Sequence, residues 1–330
     1  MFTKCVNYTL TDLKKYFERK IYLRINFLDP QQGKLKIMND TVKPKILITG
    51  ATGNIGTVLT KKLSAKKIPF RVMVRSEKDK KTFEIAENVE TVVADFDDSA
   101  SVAEALENIE RAFLLTPSSE KAEAQQINFV ETGKKSGVKH IVKLSQWAAT
   151  VDSPVRFLRY HAAVETNIKN SGIDFTFLRP NLFMQNLLGF KEPISKEGKF
   201  FADAEDCRVS IVDVRDIASV AVAALTEDGH TGKIYDITGP EALTHSEMAE
   251  KLSAVLGKKI EYVDLPPEKM RELFIKVGFP VWQADGLLED FAHYRKSEAA
   301  AVASGVKEAI GKQPFSFDDF ARDYADIFRS

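Results

Sequence analysis

Residues 45–56 read Lys-Ile-Leu-Ile-Thr-Gly-Ala-Thr-Gly-Asn-Ile-Gly, an apolar strand pattern that runs directly into three glycines and then into a helical pattern. A helix that starts at such a turn presents unpaired backbone N–H groups and a partial positive charge, which together attract phosphate. Gly50 permits a tight turn, Gly53 lets a phosphate approach the backbone, and Gly56 lets the helix pack closely on the strand. The segment predicts a turn that binds the pyrophosphate of a nicotinamide or flavin dinucleotide, and the alternative is an ordinary glycine turn.

The composition is that of a globular protein. A chain of 330 residues with 44% hydrophobic content can bury a large core in one large or two modest domains. The 47 basic and 47 acidic residues cancel, so the bulk charge does not indicate nucleic acid or a membrane surface as a partner. Cys5 and Cys207 are far apart in sequence, which disfavours a disulfide framework and makes a cytoplasmic location the expectation. No apolar run approaches the roughly 18 residues of a membrane span.

Residues 1–43 precede the first predicted strand and are expected to be an N-terminal extension of doubtful structure. Charged residues between positions 12 and 20 interrupt any apolar core, which excludes a secretory signal. The acidic residues also disfavour a transit peptide. Met38 offers a further hypothesis, namely that translation begins there.

From residue 45 onward, short β-branched runs alternate with amphipathic helical stretches, which predicts βαβ units and a parallel sheet. The predicted strands are residues 45–49, 70–74, 90–93, 111–115, 140–144 and 175–178. The predicted helices between them are residues 55–65, 101–108, 122–136 and 155–171. Strand-like runs follow at 209–212, 233–237 and 259–263, with helices near 215–226, 245–256, 267–277, 281–295 and 316–328.

This pattern predicts an α/β fold: a Rossmann-type doubly wound parallel sheet with a smaller α/β substrate lobe. The sheet domain is expected to comprise residues 44–182 plus 205–240, with residues 209–237 returning to the main sheet. Residues 183–204 plus 241–330 are expected to form the smaller lobe. The carboxyl ends of the parallel strands then share one edge, where ligands bind.

Arg75 follows the second predicted strand, at the place where an NAD-specific site would carry Asp or Glu for the ribose 2′-hydroxyl. A guanidinium suits a 2′-phosphate and cannot accept a hydroxyl hydrogen bond. The sequence therefore predicts NADP(H) as the preferred cofactor, with NAD(H) possible. The alternative for Arg75 is a solvated basic turn.

Asp95 follows the third predicted strand, where it can meet the adenine amino group while Phe96 packs beside the ring. The alternative is that Asp95 caps the helix beginning near Ser99. The ends of the next three strands are expected to line the rest of the cofactor. The predicted cofactor-binding residues are Gly50, Thr52, Gly53, Asn54, Ile55, Gly56, Arg75, Asp95, Phe96, Thr116, Ser145 and Pro180.

His161 and Glu165 are i,i+4 neighbours on one helix, so Glu165 could orient the imidazole and raise its pKa. His161 would then position a substrate oxygen or relay a proton, and the alternative is an ordinary surface pair. The five histidines are too scattered to predict a metal site.

These residues resemble the NmrA-like family of atypical short-chain dehydrogenases/reductases, and within it the NAD(P)H-dependent quinone or azo reductase-like branch. The resemblance covers residues 44–330. Its most specific segments are residues 49–56, 74–75, 161–173, 178–186 and 212–218. It implies an NAD(P)H-dependent oxidoreductase that transfers hydride from NADPH to a quinone-like or azo acceptor.

Two departures from related enzymes limit the chemistry. The wider superfamily uses a Tyr-x-x-x-Lys pair for proton transfer, whereas Tyr160 is followed four residues later by Val164. In ether-reductase relatives a lysine stands eleven residues before the glycine that corresponds to Gly172, and here that position holds His161. These departures disfavour carbonyl reduction but leave hydride transfer to a quinone open, because a quinone is easily reduced and needs less acid assistance.

The family also includes NADP(H)-sensing regulators, so the alternative function is a non-catalytic sensor that acts through a protein partner. An enzyme needs an open pocket at the nicotinamide end, whereas a sensor needs only a surface that changes with the ligand. The expected pocket residues are Trp147, His161, Phe183, Met184, Phe200 and Phe201. The missing Tyr–Lys pair disfavours a sugar-nucleotide epimerase, and no basic helix supports DNA binding. The expected partner is a small-molecule acceptor, without nucleic acid or membrane.

Overall fold

The structure is a computed structural model that describes residues 44–83 and 88–330. The predicted N-terminal extension, including Cys5 and Met38, lies outside the described residues. Within them, no helix is both long enough and apolar enough to cross a bilayer.

Within the described residues, seven parallel strands form the main sheet, in the order β3-β2-β1-β4-β5-β6-β8. These strands are β1 (Ile46–Ile48), β2 (Phe70–Val74), β3 (Val89–Val93), β4 (Arg111–Leu114), β5 (His140–Leu144), β6 (Asp174–Pro180) and β8 (Lys233–Ile237). A second parallel pair joins β7 (Lys199–Ala202) to β9 (Glu261–Asp264). The strand order reverses between β1 and β4, which is where ligands bind in open α/β sheets.

The helices cover both faces of the main sheet and form most of the C-terminal part of the chain. Those in the described residues are α1 (Asn54–Ala65), α2 (Glu77–Lys80), α3 (Ser99–Ala105), α4 (Ala122–Ser136), α5 (Arg156–Ser171), α6 (Lys191–Glu197), α7 (Val214–Thr226), α8 (His245–Leu256), α9 (Pro267–Lys276), α10 (Val281–Arg295), α11 (Gly305–Ile310), α12 (Phe317–Asp323) and α13 (Ala325–Arg329). A 3₁₀ helix, Met184–Phe190, precedes α6.

Apolar burial on both faces explains why the strands are continuous hydrophobic runs. Neighbouring residues of β1 point to opposite faces, so Leu47 packs with α3, α4 and α5 while Ile48 packs with α1 and α7. A separate apolar cluster in the C-terminal part contains Phe200, Leu252 and Phe317. The α/β fold class is confirmed, whereas the division into two domains stays a prediction.

Two predicted elements are wrong. Residues 209–212 do not form a strand of the main sheet, because they pair one residue at a time with different segments. Val212 bridges Phe183, and Val209 bridges Leu243. Only β8 therefore returns to the main sheet from the predicted 209–237 segment. The predicted helix at 316–328 is two helices, α12 and α13, that meet at Tyr324.

Candidate active site

The glycine turn between β1 and α1 leaves no room for a side chain at Gly50 or at Gly56. Gly50 has a left-handed backbone conformation, φ +63°. A Cβ at this position would lie 2.9 Å from Cγ of Leu115, so only glycine fits without a clash. A Cβ on Gly56 would lie 2.1 Å from the Gly50 carbonyl oxygen, so any side chain here would push the first turn of α1 away from Gly50. Thr49 precedes the turn, and its hydroxyl oxygen accepts a hydrogen bond from Leu115 N–H at 2.8 Å. This bond links the end of β1 to the residue that follows β4.

The start of α1 is open to an anion. Thr52, Gly53 and Asn54 are exposed. No side chain caps α1 and no acidic residue lies in its first turn. A Cβ on Gly53 would meet only the Gly50 carbonyl oxygen, at 3.4 Å, so the space in front of Gly53 is free. These features fit a bound pyrophosphate, because the helix N–H groups and dipole have no internal partner.

Arg75 and Asp95 lie at the ends of the two strands beside β1. Arg75 is exposed directly after β2, and its side chain has no hydrogen-bond or ion-pair partner among the described residues. Asp95 is also exposed, and its carboxylate accepts from Asp97 N–H at 2.9 Å. The capping alternative for Asp95 is wrong, because Asp98 caps α3 by accepting from Ala100 N–H.

Phe96, Thr116, Ser145 and Pro180 occupy the remaining predicted positions. The Phe96 ring packs on Phe129, with centroids 5.8 Å apart. Thr116 is buried, and its hydroxyl accepts from the Gln126 side chain at 2.8 Å. Ser145 and Pro180 line the cavity described next, whereas Thr116 does not. Their roles in binding a cofactor stay predictions.

A cavity of about 230 Å³ lies at the carboxyl ends of β5 and β6. Its wall is formed by the loop after β5, by α5, by the segment after β6 and by α10. The lining residues are Leu115, Ser118, Leu144, Ser145, Gln146, Trp147, Phe157, Tyr160, His161, Pro180, Asn181, Leu182, Phe183, Asn186, Gln283, Leu287, Asp290, His293 and Tyr294. A mostly apolar wall with a few polar groups is typical of a small-molecule site.

The predicted aromatic lining is correct for three residues. Trp147, His161 and Phe183 line the cavity. Met184 and Phe200 instead belong to the C-terminal apolar cluster, where both are buried. Phe201 packs against Phe190. The sequence could not separate these two groups, because residue type alone does not show which side chains face the cavity and which face the C-terminal cluster.

His161 lies in the cavity wall, but its partner is not the one predicted. Its Nδ1 is 2.8 Å from Nζ of Lys143. Lys143 is fully buried on β5, and its Nζ also donates to the Leu144 carbonyl oxygen at 3.1 Å. Burial lowers the pKa of Lys143 to about 7. Burial and the adjacent Lys143 hold the pKa of His161 well below its ordinary value, so the predicted rise is wrong.

Glu165 does not orient His161. Its carboxylate accepts from the Arg179 guanidinium at 2.9 and 2.5 Å and from the Ser145 hydroxyl at 2.6 Å. Arg179 carries a full charge in a planar fork that matches both carboxylate oxygens, which a neutral imidazole cannot do. Glu165 therefore fixes the end of β6 and the loop after β5.

The α10 wall was not predicted from the sequence. Gln283, Leu287, Asp290 and Tyr294 recur at helical spacing and all line the cavity. Asp290 is buried, and the Gln146 side-chain amide donates to its two carboxyl oxygens at 3.0 and 3.2 Å. Burial raises the pKa of Asp290 to about 8. The signal in the sequence was an aspartate on the apolar face of a predicted helix.

The fold and the site define a Rossmann-type α/β protein with an open glycine turn whose shape fits a phosphate (the phosphate turn, residues 49–56) and a separate cavity with a mostly apolar wall. The chain belongs to the NmrA-like family, whose sequence profile matches residues 42–317. This confirms the family resemblance.

Individual relatives cover most of the chain. It is 33% identical over 283 residues to an NAD(P)H azoreductase of Xenophilus azovorans, covering 86% of this chain and 99% of that protein. It is 30% identical over 247 residues to quinone oxidoreductase 2 of Escherichia coli, covering 74% of this chain and 86% of that protein. A solved structure of an NADPH-dependent quinone oxidoreductase from Escherichia coli, complexed with NADPH, superposes with a TM-score of 0.76 at 26% identity, covering 84% of this chain and 99% of that one.

Proposed function

We propose that the protein is an NAD(P)H-dependent oxidoreductase that reduces a quinone-like or azo acceptor by hydride transfer from NADPH. The observation that carries the proposal is the cavity at the ends of β5 and β6, which lies along the same sheet edge as the phosphate turn. The names of the azoreductase and quinone oxidoreductase relatives support it. The cavity favours an enzyme over a sensor, because a sensor has no need of an acceptor site.

The residues present fit a dinucleotide. The N–H groups at the start of α1 would hold the pyrophosphate, and the open space at Gly53 admits it without a clash. Arg75 would bind a 2′-phosphate, while Asp95 and Phe96 would contact the adenine. When bound, the reduced dinucleotide supplies a hydride.

The cavity suits a flat aromatic acceptor. Phe157, Tyr160 and Trp147 contribute aromatic surface to its wall. The Tyr160 ring packs against His161 with centroids 4.2 Å apart and the planes tilted by 35°, which restricts the orientation of the imidazole. We place the acceptor oxygen or nitrogen at His161, which has no other polar partner than Lys143 among the described residues.

Lys143 determines which nitrogen of His161 carries the proton. An ammonium has only donors, so when Lys143 is charged it donates to Nδ1 and leaves the proton of the neutral imidazole on Nε2. The imidazole then offers an N–H donor for the partial negative charge that develops on the acceptor. His161 is thus a hydrogen-bond donor that positions and polarises the acceptor.

The proposal is tested by NADPH oxidation with purified protein and a panel of quinones and azo dyes. We expect turnover of at least one acceptor and a loss of about 10- to 100-fold in kcat/KM for His161→Ala, which removes one charge-stabilising hydrogen bond. NADPH binding, followed by its fluorescence, should be unchanged in this variant. Tight NADPH binding without turnover of any acceptor would instead support the sensor.

A further inference from the structure

We infer that Asp290 is the proton donor of the site: its neutral carboxyl group, presented by α10 and held by Gln146, protonates the quinone-like acceptor as hydride arrives. This inference rests on the proposed function and adds the acid that the chain's missing Tyr–Lys pair leaves unassigned. It makes α10, from the far end of the chain, part of the reacting centre.

The surroundings of Asp290 keep its carboxyl group protonated. The side chain lines the cavity, yet it is buried and forms no ion pair with any described residue. Its polar neighbour is the uncharged Gln146 amide. Other groups near it are Glu289 on the same helix and the phenols of Tyr160 and Tyr294. None of these stabilises a carboxylate by its charge, and burial raises the pKa of Asp290 to about 8.

The other titratable groups in the cavity wall are poor proton donors near neutral pH. Burial raises the pKa of Tyr160 to about 12, and the Tyr160 hydroxyl is 3.2 Å from Ser118 Oγ. Burial raises the pKa of Tyr294 well above its ordinary value. The pKa values of His161 and His293 are lowered, so both rings are neutral. Among the lining residues, Asp290 holds a proton that it can release close to pH 7. Lys143 also has a lowered pKa, about 7, but it lies behind His161 and does not line the cavity.

Gln146 is placed to stabilise the product of proton transfer. Its Nε2 lies 3.0 Å from one carboxyl oxygen of Asp290 and 3.2 Å from the other. An amide donor binds an anionic oxygen more strongly than a neutral one, so this contact strengthens as the carboxylate forms. Gln146 lies two residues after the end of β5, so the sheet itself fixes the donor.

His293 adds an acceptor to the same wall. Its Nδ1 pairs with the Glu298 carboxylate, which places the ring proton on Nδ1. Its Nε2 is buried and has no hydrogen-bond partner among the described residues. The free lone pair on Nε2 of His293 lies in the same wall as Asp290. It can therefore accept a hydrogen bond from the O–H group that forms on the reduced product.

Reduction of a quinone to a hydroquinone consumes one hydride and one proton. The acceptor gains two electrons and one hydrogen as hydride from the reduced dinucleotide, which becomes oxidised. The O–H bond of Asp290 breaks, and a new O–H bond forms on the anionic oxygen of the acceptor. The carboxylate that remains is held by Gln146 and regains a proton from water after the product leaves.

The test compares Asp290→Asn with Asp285→Asn as the matched control. Asp285 is on the same helix but bonds to Arg271 on the protein surface. We expect kcat at pH 7 to fall about 100-fold or more in Asp290→Asn and to stay within twofold in the control. Wild-type kcat should decline as pH rises through about 8, and Asp290→Asn should lack this decline.

Two further measurements separate proton donation from a structural role. The infrared difference spectrum between wild type and Asp290→Asn should contain a carboxylic acid C=O band that titrates near pH 8; the subtraction removes the band of Asp216, whose pKa is also raised, to about 7. Gln146→Met removes a hydrogen bond that lowers the pKa of Asp290, so the alkaline limb of the pH profile should move to higher pH. A residue that only supports the fold would change stability without moving this limb.

The possible outcomes distinguish this inference from the proposed function. If the wild-type protein reduces no acceptor, the proposed function fails and the inference fails with it. If turnover occurs but Asp290→Asn keeps the rate and the alkaline limb, the inference alone is overturned. Absence of the infrared band from the difference spectrum overturns it independently of activity.

Discussion

We expect Arg75 to determine the preference for NADP(H) over NAD(H). It is exposed at the end of β2, so a substitution there leaves the core intact. Arg75→Asp should weaken NADPH binding about 10- to 100-fold, because a charge-assisted contact worth about 1.5–3 kcal/mol is lost and replaced by repulsion. NADH binding should change less than about threefold. Titrations of both cofactors by fluorescence check this.

Lys78→Asp is the matched control for Arg75. It makes the same charge change three residues further on, at another exposed position. Both cofactors should then lose the same small, salt-sensitive amount of affinity. Equal losses of NADPH and NADH in Arg75→Asp would show that Arg75 belongs to a solvated basic turn.

The burial of Lys143 makes stability depend on pH. Folding lowers the pKa of Lys143 from an ordinary value near 10.5 to about 7. Between these pH values the unfolded chain binds the extra proton and the folded protein does not, so Lys143 contributes more favourably to stability as pH rises. Lys143→Met should have an unfolding free energy that is independent of this proton.

The stability difference between Lys143→Met and wild type should therefore vary with pH. The free energy of unfolding of Lys143→Met, relative to that of wild type, should fall by about 1.4 kcal/mol per pH unit between pH 7 and about 10, because wild type gains stability over this range. Urea unfolding at pH 7, 8 and 9 measures this slope. The exposed Lys139, substituted by Met, should show no such slope. A flat difference for Lys143→Met would contradict the lowered pKa of Lys143 in the folded protein.

At the scale of single residues, the sequence identified His161 but not what holds it. Helical spacing indicates neighbours at i+4, yet the contact that fixes the imidazole comes from Lys143, eighteen positions away on β5. Glu165 lies at the expected spacing, but its carboxylate pairs with Arg179 on the next strand instead of with His161. Such partners depend on strand register, which a single sequence does not reveal.

Among the elements, the glycine turn allows two glycines to be told apart by experiment. Gly56→Ala should destabilise the protein by about 1–3 kcal/mol, because its Cβ would meet the backbone of Gly50 at 2.1 Å and cannot rotate away. Gly53→Ala should cost less than about 1 kcal/mol, since its Cβ has room. Urea unfolding of both variants checks the difference.

Gly53→Ala, which should have the smaller effect on stability, should have a large effect on NADPH binding. The methyl group of Gly53→Ala would occupy the space in front of the helix N–H groups, so NADPH affinity should fall at least tenfold while the fold is kept. A Gly53→Ala protein that binds NADPH normally would place the phosphate elsewhere. The two variants thus separate a glycine needed for the fold, Gly56, from a glycine expected to contact the ligand, Gly53.

Elements with a regular hydrophobic pattern could be predicted closely. The strand His140–Leu144 and the helix Ala122–Ser136 have the predicted bounds, because continuous burial and a left-handed glycine end at Gly137 leave clear marks in the sequence. Residues 209–212 have the same β-branched composition but pair with several segments in turn. Composition indicates an extended chain there, but it cannot supply the partner.

At the scale of the whole molecule, the cavity exists because α10 is held against the first half of the chain. Glu289 of α10 accepts from the Arg156 side chain at 2.6 Å and from the Arg156 backbone N–H at 2.8 Å. Arg156 also donates to the Trp282 carbonyl oxygen at 3.0 Å. Both charged side chains are less than one-third exposed. This bidentate pair therefore positions the wall that carries Asp290.

Breaking this pair should affect the acceptor more than the cofactor. Arg156→Ala should raise KM for the acceptor severalfold and leave NADPH affinity unchanged, because α10 forms the cavity wall but lies apart from the phosphate turn. A double-mutant cycle of Arg156→Ala and Glu289→Ala should give a coupling of about 1–2 kcal/mol in unfolding free energy. The exposed Lys269–Glu272 pair on α9 is the control, with an expected coupling below about 0.5 kcal/mol. If acceptor KM stays unchanged while the coupling is present, the Arg156–Glu289 pair stabilises α10 without shaping the cavity.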